Sequence, residues 1–203
     1  MSDHDREKWD AKYAAIPSPL IAPLDPWLEQ QLVGCLPGRA LDVACGLGSL
    51  AMGLAQRGWS VTAVDISSTG LVHARQSAVR QNVSVDWVCA DLDVYVPPES
   101  TFDLITVFRF LQRGDLPDRL SRALKPGGRL LHMTFVESLT GDSAKVDRPH
   151  NPAFLLQTGE LPRLYPDLTL QHYSEHVVDQ AKFAKFAGVR DEHAADLARS
   201  CHF

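Results

Sequence analysis

The sequence predicts an α/β fold, a doubly wound and mostly parallel seven-stranded sheet finished by an antiparallel hairpin at its C-terminal edge. Short apolar runs alternate with stretches of helical period between residues 40 and 136. That alternation is the pattern of parallel strands joined by crossover helices that cover both faces. Glycines mark the first strand-to-helix junction, at Gly46 and Gly48. Beyond 167 the pattern changes: runs at 168–178 and 182–189 are joined by a short polar connection. It leaves no room for a crossover helix, so this pair is antiparallel.

Residues 4–15 carry Trp9 and Tyr13 four apart among charges, which suits a short amphipathic helix. Prolines at 17, 19, 23 and 26 then stop helix formation and stiffen the connector. Residues 27–36 read as a second short helix closed by Pro37-Gly38. A first strand at 40–44 leads to a helix over 48–57 that ends at Gly58. A second strand spans 60–66, and the helix after it, 67–81, takes Ser67 or Ser68 as N-cap. Strands at 83–90 and 102–108 precede a helix over 115–124. Lys125-Pro126-Gly127-Gly128 makes a turn before the strand at 129–136. The irregular stretch 138–167 is long enough to be functional or disordered.

At 203 residues the chain fits one domain with a short extension. Its hydrophobic fraction of 45% is far above that of a disordered chain, and no apolar run is long enough for a membrane helix. The opening MSDHDREKWD is charged where a signal peptide needs an apolar segment. Cysteines at 35, 45, 89 and 201 form no CxxC pair, so neither a disulfide framework nor a zinc ribbon is expected. The expected location is the cytoplasm. The net charge is −5 and the basic residues are scattered, which disfavours nonspecific nucleic-acid binding.

Chemistry is expected at Leu41-Asp42-Val43-Ala44-Cys45-Gly46-Leu47-Gly48. Glycines there let the chain bend and let a ligand approach the backbone. Alone the motif is ambiguous: Gly46-x-Gly48-x-x-Ala51 also satisfies a dinucleotide fingerprint, with Asp65 as the ribose acid 19 residues beyond Gly46. A tight turn without ligand is the third possibility. Asp42 breaks the tie, because a dinucleotide fold keeps an apolar residue inside that strand. A carboxylate at this point can accept a bond from a ligand's ammonium group. Asp91 closes the third strand with an acid suited to an adenine amino group, and Pro126-Gly127-Gly128 precedes the fifth strand.

As a set these residues resemble the class I S-adenosylmethionine-dependent methyltransferases, with their Rossmann-like sheet, over roughly residues 38–190. The resemblance implies S-adenosyl-L-methionine as cofactor. Asp42, Ala44, Gly46 and Gly48 would hold its methionine portion, and Asp65 its ribose hydroxyls. Ile66 would pack on the adenine, Asp91 would meet the adenine amino group with Leu92 beside it, and Phe108 would line the pocket. The bland alternatives are a helix-capping role for Asp65 and a turn role for Asp91.

A narrower resemblance lies in Arg109-Phe110-Leu111-Gln112-Arg113, in Met133-Thr134-Phe135-Val136-Glu137, and in the segment from Asp147-Arg148-Pro149-His150 to Thr158-Gly159-Glu160-Leu161. These look like the tellurite-resistance branch, which is similar to thiopurine methyltransferases. That branch implies a soft sulfur, selenium or tellurium acceptor. Trp9 and Tyr13 look like its N-terminal segment, which folds over the cofactor. Residues 1–37 are thus expected to cap the cofactor site, 38–203 to form the methyltransferase domain, and 138–167 to cover the substrate.

Substrate-pocket candidates are Arg109, Arg113, Glu137 and Arg148, and for each arginine a solvated or loop-anchoring ion pair is the competing role. No catalytic side chain is assigned, since displacement at an activated sulfonium rests on positioning. No metal site is expected: His172 and His176 stand four apart in a strand, about 13 Å of chain. With no separate recognition domain, the expected partner is a small-molecule acceptor, for a monomer or homodimer. The competing functions are an NAD-dependent oxidoreductase, which lacks room for a substrate domain, and a non-catalytic methyltransferase-fold binding subunit.

Overall fold

The computed structural model describes residues 3–16, 23–137, 152–178 and 181–191. The chain divides into two units, Met1–Val96 and Pro97–Phe203. The first contains α1 (Asp3–Ala14), α2 (Pro26–Leu32), β1 (Arg39–Val43), α3 (Ser49–Ala55), β2 (Ser60–Asp65), α4 (Ser68–Arg80) and β3 (Asp86–Cys89). Here β2 pairs in parallel with both β1 and β3. Ala40, Leu41, Val43, Val61, Ala63 and Val64 are buried, as are Met52 and Leu54 of α3 and Leu71 and Ala74 of α4. The strands therefore read as continuous apolar runs because both of their faces are covered.

Local chemistry sets the element ends. Asp25 accepts from the Trp27 amide to start α2, with Pro26 in its first turn. That helix stops at Leu32, four residues short of expectation, because the chain turns left-handed at Gly34 (φ 77°). Ser67 is the N-cap of α4, accepting from the Gly70 amide at 3.0 Å. Strand β3 starts three residues later than expected because residues 81–83 form the C-terminal cap that follows α4. Asn82 is left-handed (φ 54°) and the Val83 amide donates to the Ala78 carbonyl.

The second unit contains β4 (Phe102–Phe108), α5 (Leu116–Ala123), β5 (Leu124–Phe135), 3-10 turns at Pro152–Phe154 and Leu161–Leu164, β6 (Leu168–Val178) and β7 (Ala181–Arg190). Strands β4 and β5 are parallel, and β7 runs antiparallel to both β5 and β6. The expected C-terminal hairpin forms. The expected Lys125–Gly128 turn lies inside β5 instead of before it: the register passes from Phe102↔Leu124 to Leu104↔Arg129. A Cβ on Gly128 would stand 2.8 Å from the Lys125 carbonyl and 2.9 Å from that of Phe102, so glycine is required there. The strand order is β3-β2-β1-β4-β5-β7-β6, the predicted seven-stranded α/β sheet. No described helix is long and apolar enough to cross a membrane.

Candidate functional site

In the first unit β1 ends in a left-handed loop. Ala44, Gly46 and Gly48 have φ of 55°, 55° and 75°. The Cys45 amide donates to the Val64 carbonyl at 3.0 Å and the Gly48 amide to the Cys45 carbonyl at 2.9 Å, closing the turn onto β2. A Cβ on Gly48 would meet the Trp87 ring at 2.3 Å, so β3 itself demands that glycine. Ala44 holds a conformation that costs an L-residue about 1–2 kcal/mol.

Two acids lie beneath this loop, Asp42 at 2% exposure and Asp65 at 6%. One Asp65 oxygen accepts from the Gly46 amide at 2.7 Å and the other from the Ser67 amide at 2.9 Å. Burial pushes the Asp65 carboxyl up from its ordinary range, against the pull of these amide bonds. Asp65 therefore acts at the start of α4, as the capping alternative requires, and also braces the glycine loop. Ile66 and Leu92 are buried. Asp91 follows β3 and accepts from the Asp93 amide at 2.9 Å, a turn-forming bond. Asp42, Ala44, Gly46, Gly48, Asp65, Ile66, Asp91 and Leu92 thus cluster around the carboxyl ends of three adjacent strands.

The arm joins this cluster. Trp9 and Tyr13 stack with ring centroids 5.6 Å apart, and the Lys12 ammonium lies 4.8 Å from the Trp9 centroid. A Cβ on Gly46 would meet the Tyr13 hydroxyl at 2.7 Å. Although α1 forms as expected, none of its residues is buried.

In the second unit Phe108 ends β4, and exposed Arg109 follows with φ 55°, its amide donating to the Met133 carbonyl at 2.7 Å. Arg113 takes the loop-anchoring role. Its guanidinium forks onto both Glu160 oxygens and donates to the carbonyls of Ala153 at 2.7 Å and Leu155 at 2.9 Å. Glu137 is exposed, and its amide donates to the Leu156 carbonyl at 2.7 Å. Arg148 lies outside the described residues. The rings of His172 and His176 both bond to Ser174 Oγ, and the described residues include no group of three metal-ligating side chains.

Sequence reasoning missed Asp10 and Trp87, and it named Glu160 within a motif without assigning its pairing to Arg113. The Asp10 carboxylate accepts from Ser67 Oγ and from the Thr69 amide at 3.0 Å. An acid inside a charged helix gives no local signal of that contact. Trp87 was visible as an aromatic in a short strand, but its pairing with Gly48 depends on sheet register.

The donor set discriminates between ligands. A pyrophosphate needs the loop amides, yet the Gly46 amide already donates to Asp65, and an anion there would face Asp65 and Asp42. A ligand with cationic centres, ribose hydroxyls and an adenine fits the carboxylates that are present. Asp42, Asp65 and Asp91 would hold those groups, with Ile66 and Leu92 as apolar walls.

Comparison with known proteins agrees. Residues 40–128 match the family model described as a methyltransferase domain, a class of domain that uses S-adenosylmethionine. The chain is 32% identical over 140 residues to a ubiquinone biosynthesis O-methyltransferase of Coxiella burnetii, a match covering 66% of this chain and 59% of that protein. The chain thus spans about three fifths of that relative's length. Among solved structures, TehB from Haemophilus influenzae has a TM-score of 0.69 at 19% identity, covering 92% of this chain and 67% of that one. A structure described under conversion of a disulfide bond into a thioacetal group during echinomycin biosynthesis has a TM-score of 0.73 at 20% identity, covering 97% and 98%. At these identities the structural likenesses carry the fold.

Proposed function

We propose that this protein is an S-adenosylmethionine-dependent methyltransferase that methylates a small-molecule acceptor, with a soft sulfur, selenium or tellurium atom as the nucleophile. The observation that supports it most is the Asp65 carboxylate bonded to the Gly46 amide beside buried Asp42. That arrangement opposes the pyrophosphate of a nicotinamide cofactor and suits a ligand carrying sulfonium and ammonium charges.

When bound, S-adenosylmethionine would supply an activated methyl group for in-line displacement by the acceptor, with its sulfur as the leaving group. The chain's own task is to bind, orient and exclude water, since holding partners in line is worth about 7–11 kcal/mol. Asp65 orients the ribose and Asp42 the ammonium group. Trp9 and Tyr13 on the arm complete the cofactor contacts within this unit, and Phe108 keeps its cofactor role by resemblance alone. Arg109 and Glu137 stand after β4 and β5 as acceptor-side groups, and Arg113 supports them by fixing segment 152–160. Arg148 stays in the acceptor-side set by resemblance alone.

The soft nucleophile is supported by the resemblance of residues 109–113, 133–137 and 147–161 to the tellurite-resistance branch, and it is compatible with the state of His132 in β5. Both of its ring nitrogens are engaged, with Tyr165 and the Phe110 carbonyl, so it is not available as a base. An acceptor that arrives as a thiolate or similar anion needs none. An oxygen acceptor is the second reading, favoured by the ubiquinone biosynthesis relative.

Calorimetric titration with S-adenosylmethionine and its demethylated product, alongside NAD(H), tests the cofactor. Asp65→Ala is expected to weaken cofactor binding by about tenfold or more, as loss of charge-assisted bonds predicts. No binding at millimolar cofactor overturns the proposal. Product formation on a panel of thiols, selenide, tellurite and catechols then separates the soft acceptor from the oxygen acceptor.

A further inference from the structure

The arm is docked without a fully buried side chain. Helix α1 has 12 residues and buries none of them. A helix of that length is marginal in water unless something holds it. Polar contacts to the first turn of α4 help to hold it. The Asp10 carboxylate accepts from the hydroxyl of the N-cap Ser67 and from the Thr69 amide at 3.0 Å. Ser67 Oγ in turn accepts from the Gly70 amide at 3.0 Å, so Asp10 and Ser67 together cap this helix start.

A second observation is independent of Asp10. Gly70 lies in α4 and is not among the residues with positive φ, so the backbone there has no need of glycine. A glycine inside a helix costs about 1 kcal/mol relative to alanine. A Cβ at Gly70 would meet the Tyr13 ring at 2.7 and 3.0 Å, and one at Gly46 would meet the Tyr13 hydroxyl at 2.7 Å. Gly70 thus makes room for an aromatic side chain of the arm that also reaches left-handed Gly46. Asp10 and Tyr13 are three apart and share a face of α1, so the carboxylate bond fixes where the ring lands.

We propose that Asp10 is a positioning residue of the cofactor site: by bonding the first turn of α4 it seats Tyr13 over Gly46 and retains S-adenosylmethionine beneath the arm. This rests on the cofactor reading above. In it, Asp10 touches no reacting atom. The arm adds contacts to bound cofactor, and its latch sets how slowly cofactor leaves.

The test follows S-adenosylmethionine binding to the whole protein by calorimetry and its dissociation by stopped-flow displacement. Asp10→Ala is expected to raise the dissociation rate by about tenfold while association changes less than about twofold. Its thermal unfolding temperature should fall only by the few degrees that a lost cap contact at α4 accounts for, and Asp10→Asn, which keeps the acceptor for the Thr69 amide, should stay near wild type. Asp10→Asn should also recover most of the retention. Gly70→Ala should mimic Asp10→Ala by displacing the Tyr13 ring. If wild-type protein binds no S-adenosylmethionine, the cofactor reading fails. If wild type binds and Asp10→Ala releases it no faster, the cofactor reading stands and the latch is overturned.

Discussion

Acidification should destabilise this protein through His132. The side chain is 2% exposed, its Nε2 lies 2.9 Å from the Phe110 carbonyl and its Nδ1 lies 2.8 Å from the Tyr165 hydroxyl. A carbonyl only accepts, so Nε2 carries the proton, and Nδ1 then accepts from Tyr165. Burial pushes the imidazole down from 6.5 to about 4, against the pull of the Phe110 carbonyl. With the folded value below the unfolded one, the unfolded chain takes up this proton first as pH falls. Stability is therefore intact above about 6.5, declines as pH falls toward 4, and levels off below that value. The full effect is roughly 3 kcal/mol, of which about 2 kcal/mol is lost between pH 7 and pH 5.

Urea unfolding at pH 7, 6 and 5 on wild type and His132→Gln measures it. Glutamine can donate to the Phe110 carbonyl and accept from Tyr165, yet it does not titrate. Asp10, Glu160 and Glu175 are all held below the ordinary carboxylate range. Their stabilisation is lost at lower pH and is common to both proteins, so it cancels in the difference. Wild type should lose about 2 kcal/mol more than the variant from pH 7 to 5. Parallel pH profiles would refute the argument, as would an imidazole nitrogen spectrum showing a charged ring at pH 6.

Gly48→Ala should lower stability by about 2–4 kcal/mol, combining a left-handed non-glycine residue with an overpacked contact. A shift in Trp87 fluorescence should accompany it, since the new Cβ would stand 2.3 Å from that ring. Arg113→Ala should make segment 152–160 cleave faster in limited proteolysis, because two of its carbonyls and Glu160 lose their donor. The melting temperature should fall by only about 2–4 °C, as expected for a partly exposed ion pair; unchanged cleavage would remove Arg113 as the anchor.

Most of the architecture was legible because backbone periodicity leaves a local record. All seven strands and the helices between them were readable from apolar runs, N-caps and glycine stops. The errors fell where short-range rules compete. Helix α2 ended at Leu32 because Gly34 turns left-handed before Pro37-Gly38 is reached. The Lys125–Gly128 turn became a bulge within β5 because Leu124 still pairs with Phe102.

By itself, then, the sequence determined the fold class, the glycine loop after β1, and the acids expected at the ends of β1, β2 and β3. Each is written in neighbouring residues, where strand period, turn chemistry and helix capping act. Only the tertiary structure decided how those residues are used. Asp65 braces the Gly46 amide across 19 residues of chain. Arg113 reaches 47 residues to Glu160 and becomes an anchor. Asp10 finds Ser67 across 57 residues and docks an arm that has no buried side chain. Side-chain hydrogen bonds form wherever folding brings donor and acceptor within about 3 Å, so no local pattern records them.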